Sequence, residues 1–167
     1  SLPQNTSLDL MQSHFVDGAW QKPSYLPASV NSEAWDSQPT LAGSLLVFSS
    51  DRLGGLGGTD LWASTFENAA WGEAWNLGSK VNTAGDERAP HLSPSGRHLY
   101  FSRQVQGEGQ SDFYLARLQR KGFNTPRLLP APFNSPGDEL GFCLLSDLQS
   151  ACFSSRRQKH DFDLFTA

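Results

Sequence analysis

Asp86-Glu87-Arg88-Ala89-Pro90-His91-Leu92-Ser93-Pro94-Ser95-Gly96-Arg97-His98-Leu99-Tyr100-Phe101-Ser102 reads as strand, tight turn, strand. Ala89 to Ser93 is a short strand. Pro94-Ser95-Gly96-Arg97 supplies the preset and permissive φ values of a turn. His98 to Ser102 is aromatic and suited to a pleated surface. Downstream, Gly and Ser dominate Gln106 to Ser111, which reads as a loop. Asp112 to Leu118 partly alternates polar and apolar residues, a third strand. Lys121 to Leu129 supplies a weaker fourth strand around Phe123.

The same message recurs along the chain. Asp9, Asp60, Asp112 and Asp163 stand at intervals of 51, 52 and 51 residues. Trp20, Trp71 and Phe123 are a second set of equivalents, Asn31, Asn82 and Asn134 a third, and Phe48, Phe101 and Phe153 a fourth. A period of this length, built from short apolar runs and turn residues, signals small sheets stacked side by side. Four short antiparallel strands per unit are the blades of a β-propeller. The expected fold is therefore all-β, with antiparallel four-stranded blades in about three repeats of 51–52 residues. Residues 1–30 read as the last two strands of a preceding blade, because Asp9 to Phe15 matches Asp60 to Phe66. Residues 31–81 and 82–133 read as two whole blades, and 134–167 as an incomplete third with three strands; all belong to one propeller domain or part of one.

These motifs resemble the WD40-like propeller repeats of the TolB type, which also occur beside OmpA-like domains in bacterial envelope proteins. The resemblance rests on Asp86-Glu87-Arg88-Ala89-Pro90, Leu92-Ser93-Pro94-Ser95-Gly96, Leu99-Tyr100-Phe101-Ser102, and the Gly-x-Ser-Asp-Phe-Tyr ending at Tyr114. Trp75-Asn76-Leu77-Gly78 and Val81-Asn82-Thr83 resemble the family's linker between blades. The third repeat departs from the pattern: Phe142 replaces the proline of Pro39 and Pro90, and Ser146-Asp147-Leu148 lacks the glycine turn. The resemblance implies a periplasmic or other extracytoplasmic location in a bacterial envelope, and a binding or scaffold role, because such propellers host many tasks.

Bulk properties narrow the field. A formal net charge of −4 argues against nucleic acid or an anionic membrane as the main partner. No apolar run approaches the ~18 residues of a transmembrane helix, and no signal peptide is visible. The first residue is Ser1 rather than Met, as expected if a leader or a larger parent chain has been removed. Cys143 and Cys152 flank a turn centred between Asp147 and Leu148 and lie opposite each other on one hairpin. They are either a cross-strand disulfide in an oxidising compartment or two reduced thiols packed in a core.

Candidate sites divide into structural and binding groups. Asp9, Asp60, Asp112 and Asp163 each precede an apolar strand, where a carboxylate accepts backbone N–H bonds and pins the preceding loop. Asp86, Glu87, Asp138 and Glu139, with Glu33 and Asp36 in the first repeat, stand where the innermost strands begin, beside a central channel. They read either as ties between blades or as a ring holding a basic partner or a cation such as Ca2+. No other cofactor is expected, and the four histidines lack metal-ligand spacing. Trp35 and Trp75 break the repeat pattern and are candidates for exposed contacts, whereas Trp20, Trp62 and Trp71 read mostly as core. Gly54 to Gly58 reads as a flexible loop, since no helix follows to complete a phosphate cradle. Arg156 to His160 reads as a solvated basic loop.

The expected function is a non-catalytic propeller that binds a protein or peptide, or an envelope glycan. The alternative is a carbohydrate-active propeller enzyme using carboxylates or a metal at the channel; no nucleophile elbow or metalloprotease motif is present. Three repeats are too few to close a ring, which typically takes at least ~4 blades. The chain is expected either to be a piece of a longer propeller or to pair head to tail as a homodimer with two-fold symmetry.

Overall fold

The computed structural model describes residues 8–105, 107, 109–158 and 161–167. Lys159 and His160 of the basic loop lie outside the described residues. Among those described there is no α-helix, and no helix long and apolar enough to cross a membrane.

The first unit holds four two-residue strands: β1 (Met11–Gln12), β2 (Phe15–Val16), β3 (Ala19–Trp20) and β4 (Ser24–Tyr25). β1 pairs with β4 and β2 with β3, all antiparallel. Blade 1 contains β5 (Asp36–Ala42), β6 (Leu45–Ser50), β7 (Asp60–Glu67), β8 (Ala70–Trp71) and β9 (Trp75–Asn76). Blade 2 repeats the plan with β10 (Asp86–Leu92), β11 (His98–Gln104), β12 (Ser111–Gln119), β13 (Gly122–Phe123) and β14 (Arg127–Leu128). Blade 3 holds β15 (Glu139–Leu144), β16 (Ala151–Ser155) and β17 (Asp163–Thr166). The fourth strand expected as one run in each full blade is two short pieces. β7 pairs both β8 and β9, and β12 pairs both β13 and β14.

Three apolar cores lie between neighbouring units, which is why β6 is apolar on both faces. Leu46 and Phe48 point back onto Leu10, Leu26 and Val30 of the first unit. Val47, with Leu61 and Ala63, points forward onto Leu92, Leu99 and Phe101 of blade 2. Phe113 and Leu115 continue forward onto Phe142, Ala151 and Phe153 of blade 3. Each fully buried Phe or Leu contributes roughly 1.5–3 kcal/mol of transfer free energy, so the stack is held face to face by alternation at period two.

Candidate binding site at the start of the innermost strands

The innermost strands β5, β10 and β15 pack side by side. Each carries a β-bulge, with register shifts at Ser37/Thr40, Arg88/His91 and Leu140/Cys143. The bulged residue is Gln38, Ala89 or Gly141, all at positive φ, so the distortion is built into the repeat and re-aims the side chains around it. Side chains then bridge one innermost strand to the next. Gln38 Oε1 accepts from Ala89 N at 2.9 Å, Thr40 Oγ1 from Leu92 N at 3.0 Å, and His91 Nε2 from Leu144 N at 3.1 Å. Burial holds the His91 imidazole below its ordinary pKa, in keeping with a neutral ring that accepts a hydrogen bond.

Two classes of carboxylate mark the start of these strands. The first is fully buried: Asp36, Glu87 and Glu139. Each accepts from a hydroxyl four residues upstream, on Ser32, Thr83 or Ser135. Each also pairs with a guanidinium, from Arg52, Arg103 or Arg157. The same guanidinium reaches a backbone carbonyl of the linker, at Val30, Val81 and Phe133 respectively, and stacks over a strand aromatic, as Arg103 does over Tyr114 at 4.4 Å. Burial pushes the Glu87 carboxyl above the usual range, against the Thr83 hydrogen bonds and the Arg103 charge. Glu139 is raised by burial too, against Ser135, Ser155 and Arg157. The first-repeat counterpart of Glu87 is thus Asp36, not Glu33, which is exposed.

The second class is half-exposed. Asp86 Oδ1 accepts from Thr59 N of the preceding blade at 2.8 Å, and its Oδ2 meets Arg88 at 3.2 Å. Asp138 repeats this with Ser111 N at 2.9 Å and Arg156 at 3.2 Å. Asp36, Asp86, Glu87, Asp138 and Glu139, five of the six carboxylates read as a cation ring, therefore already have cationic or backbone partners, and no cluster of metal-ligating side chains occurs among the described residues.

What these pairs leave available is a cleft of about 320 Å³ lined by Asp86, Arg88, Ser111, Asp138 and Arg156. It shares Arg88 and Leu140 with a second cleft of about 330 Å³ that adds Trp35, Gln38 and Asp51. The Arg88 and Arg156 side chains are 47% and 45% exposed, so each guanidinium keeps donors facing solvent. Trp35 is half-buried at the edge, its backbone N–H donating to Asp51 Oδ1 at 2.8 Å. Trp75, on β9, is exposed and lines neither cleft.

The aspartates before the third strands differ in setting. Asp60 is buried, and its Oδ2 accepts from Leu56 N and, at 2.8 Å, from Asn76 Nδ2. Asp112 and Asp163 are half-buried with partners of their own; Asp9 is exposed. The glycine run is not loose. Gly58 N donates to Gly85 O, and a Cβ at Gly57 would lie 2.1 Å from that same oxygen. Glycine is there for close backbone approach between blades. Trp20 also departs from expectation, being 72% exposed. Its counterpart Trp71 rests on the preceding unit, with Nε1 bonded to Gln12 Oε1 at 3.4 Å.

The Asn31, Asn82 and Asn134 set, noticed only as a repeat, is a backbone clamp. Each Oδ1 accepts the N–H, and each Nδ2 meets the C=O, of one residue 21 positions upstream: Leu10, Leu61 or Phe113. Repeat spacing does not show the guanidinium set. Arg103 sits on its strand, whereas Arg52 and Arg157 follow two residues after the corresponding Ser50 and Ser155, so alignment by position hides them.

Fold and site together define an array of β-propeller blades with a polar cleft at the innermost strands. No protein-family model matches the sequence, and no curated protein does. Among solved structures the chain is similar to TolB from Acinetobacter baumannii, with a TM-score of 0.58 at 11% identity, over 87% of this chain and 32% of that one. At that identity the likeness speaks for the fold, and this chain spans about a third of the length of the protein it resembles.

Proposed function

We propose that this chain is a non-catalytic binding or scaffold module of a bacterial envelope, and that it holds a protein or peptide segment in the cleft around Arg88 and Arg156. The observation that carries this reading is the division of labour among the polar residues. The buried carboxylates are consumed by arginine pairs within the blades, while Arg88, Arg156 and Trp35 keep accessible donors and an aromatic surface. Mixed charge beside an aromatic suits the carbonyls and side chains of an extended peptide. An acid–base pair for glycoside cleavage needs two free carboxyl groups facing a common bond, and here Asp86 and Asp138 are each committed to a backbone N–H and a guanidinium.

The array works within a ring completed by further blades of a longer chain or by a second copy. Leu41 occupies the position of Leu92 and Leu144, whose N–H groups bond to the preceding innermost strand. It borders an apolar cleft of about 430 Å³ with Leu10, Met11, Leu26 and Leu46.

The test is an immobilised library of acidic, basic and neutral peptides, run beside a panel of envelope oligosaccharides with a reducing-end assay. Peptide binding that falls at least tenfold in an Arg88→Ala/Arg156→Ala double variant is expected. Release of reducing ends from any glycan would place the chain among the enzymes instead.

A further inference from the structure

Cys143 and Cys152 face each other directly across β15 and β16. Leu145 N donates to Ser150 O two steps along the same ladder, and antiparallel alternation makes the cysteines a hydrogen-bonded pair as well. Their Cα atoms in such a pair stand about 5.5 Å apart, inside the roughly 4.4–6.8 Å that a disulfide spans. The Cβ atoms of directly opposed residues are about 4.5–5.5 Å apart, at or just beyond the roughly 3.5–4.5 Å of a relaxed bridge. The bond can close, but only by drawing the strands together. Both thiols are free in the structure.

Their face is equally informative. Phe142, Leu144, Ala151 and Phe153 alternate with them and fill the core against blade 2, so both sulfurs lie on the opposite side. Cys143 is exposed and Cys152 half-buried; on the same side Leu164 is 76% exposed. In the two earlier repeats this cross-strand pair is Thr40–Val47 and His91–Tyr100. There the first member accepts a backbone N–H from the next blade. A thiol is a weak acceptor. Repeat 3 has therefore given up the chemistry of the junction at both positions and carries two adjacent sulfurs instead.

We propose that Cys143 and Cys152 are a reversible dithiol–disulfide pair, an intrachain redox site on the face by which blade 3 would meet a following blade, reachable while that face is uncovered. The oxidant is a low-molecular-weight disulfide. The thiolate of the more exposed Cys143 attacks one sulfur of the donor, whose S–S bond breaks and releases one thiolate, leaving a mixed disulfide on Cys143. The Cys152 thiolate then attacks Cys143 Sγ, forms the cross-strand bond and expels the second small thiol. Two protons leave the cysteines and end on the two released thiols; the protein is oxidised by two electrons and the donor reduced by two. Because the closed bond is strained and exposed, an excess of small thiol reopens it without unfolding the chain.

The experiment equilibrates the native chain in buffers of varied oxidised-to-reduced glutathione ratio, quenches by alkylation and weighs the intact chain. The expected result is a species lacking two hydrogens and resistant to alkylation. It stays one covalent unit after chymotryptic cutting between the cysteines and returns fully to the dithiol in excess reduced glutathione under native conditions. In Cys143→Ser the remaining cysteine goes no further than a glutathione adduct. Two alkylatable thiols persisting in oxidised glutathione, stable double adducts, interchain dimers, or a bridge that opens only after denaturation would each overturn the proposal.

Discussion

Replacing Asn82 with alanine is expected to cost about 3–5 kcal/mol, a large share of the roughly 5–15 kcal/mol that holds a typical domain together. Asn82 is 1% exposed and its side chain makes three hydrogen bonds: from Leu61 N at 2.9 Å, to Leu61 O at 2.9 Å and to Asn76 Oδ1 at 2.8 Å. The two acceptors keep other partners, because Leu61 O also accepts from Leu77 N and Asn76 Oδ1 from Gly78 N. Leu61 N is left as an orphaned buried donor, worth about 1–3 kcal/mol, and each of the other two bonds about 1 kcal/mol. At roughly 2–4 °C per kcal/mol for a chain of this size, melting falls by about 6–20 °C. Urea unfolding followed by tryptophan fluorescence measures this directly. Asn82→Asp keeps the acceptor for Leu61 N but turns a carboxylate on Leu61 O and Asn76 Oδ1, so it should be at least as damaging at neutral pH. A loss below about 0.5 kcal/mol in both variants would refute the clamp, since that is the ordinary scatter of surface substitutions.

Other consequences follow from the same contacts. Arg103→Met strands a fully buried Glu87 carboxylate and should cost about 3–5 kcal/mol, with much of it recovered in Glu87→Gln/Arg103→Met by denaturant titration. His91 has its pKa lowered by burial, so the folded state binds fewer protons than the unfolded chain just below the free value of about 6.5. Stability should therefore decline as pH falls from about 6.5 toward the folded value, and His91→Thr, copying Thr40, should remove that decline in melting curves taken across the range. Gly57→Ala pushes a methyl against Gly85 O and Thr83 O and should destabilise by about 1–3 kcal/mol. Gly109→Ala, with open space around its Cβ, should be nearly neutral in the same assay.

How much of this was legible in the chain depends on whether the signal is local. The 51–52-residue spacing of Asp9, Asp60, Asp112 and Asp163 is enough to see the blades, because each strand and turn carries its own propensities and the period multiplies them. Asn82 stood out as a repeated residue, but its partner lies 21 positions upstream, a distance at which spacing alone does not show what touches what. The arginine pairs were hidden for a different reason. Arg52, Arg103 and Arg157 converge on equivalent carboxylates from unequal offsets, a long flexible side chain compensating for two residues of backbone. The glycines at 54–58 read as freedom, whereas Gly57 and Gly58 mark close approach to the next blade, which only the packed structure reveals. Glu33 shares its residue type with Glu87 and Glu139, but the register assigns that place to Asp36.

The central claim is that the buried carboxylates hold the blades while the exposed guanidiniums meet the partner. It is tested by measuring thermal melting and peptide binding side by side on two variants, Arg103→Met and Arg88→Ala/Arg156→Ala. The first should melt well below the parent chain yet, at a temperature where it is folded, bind peptides as the parent does. The second should melt within a few degrees of the parent, since each of its two exposed ion pairs is worth about 0–1 kcal/mol, and lose binding. Binding lost on breaking the buried pair in a folded chain, and kept on removing both exposed arginines, would contradict it.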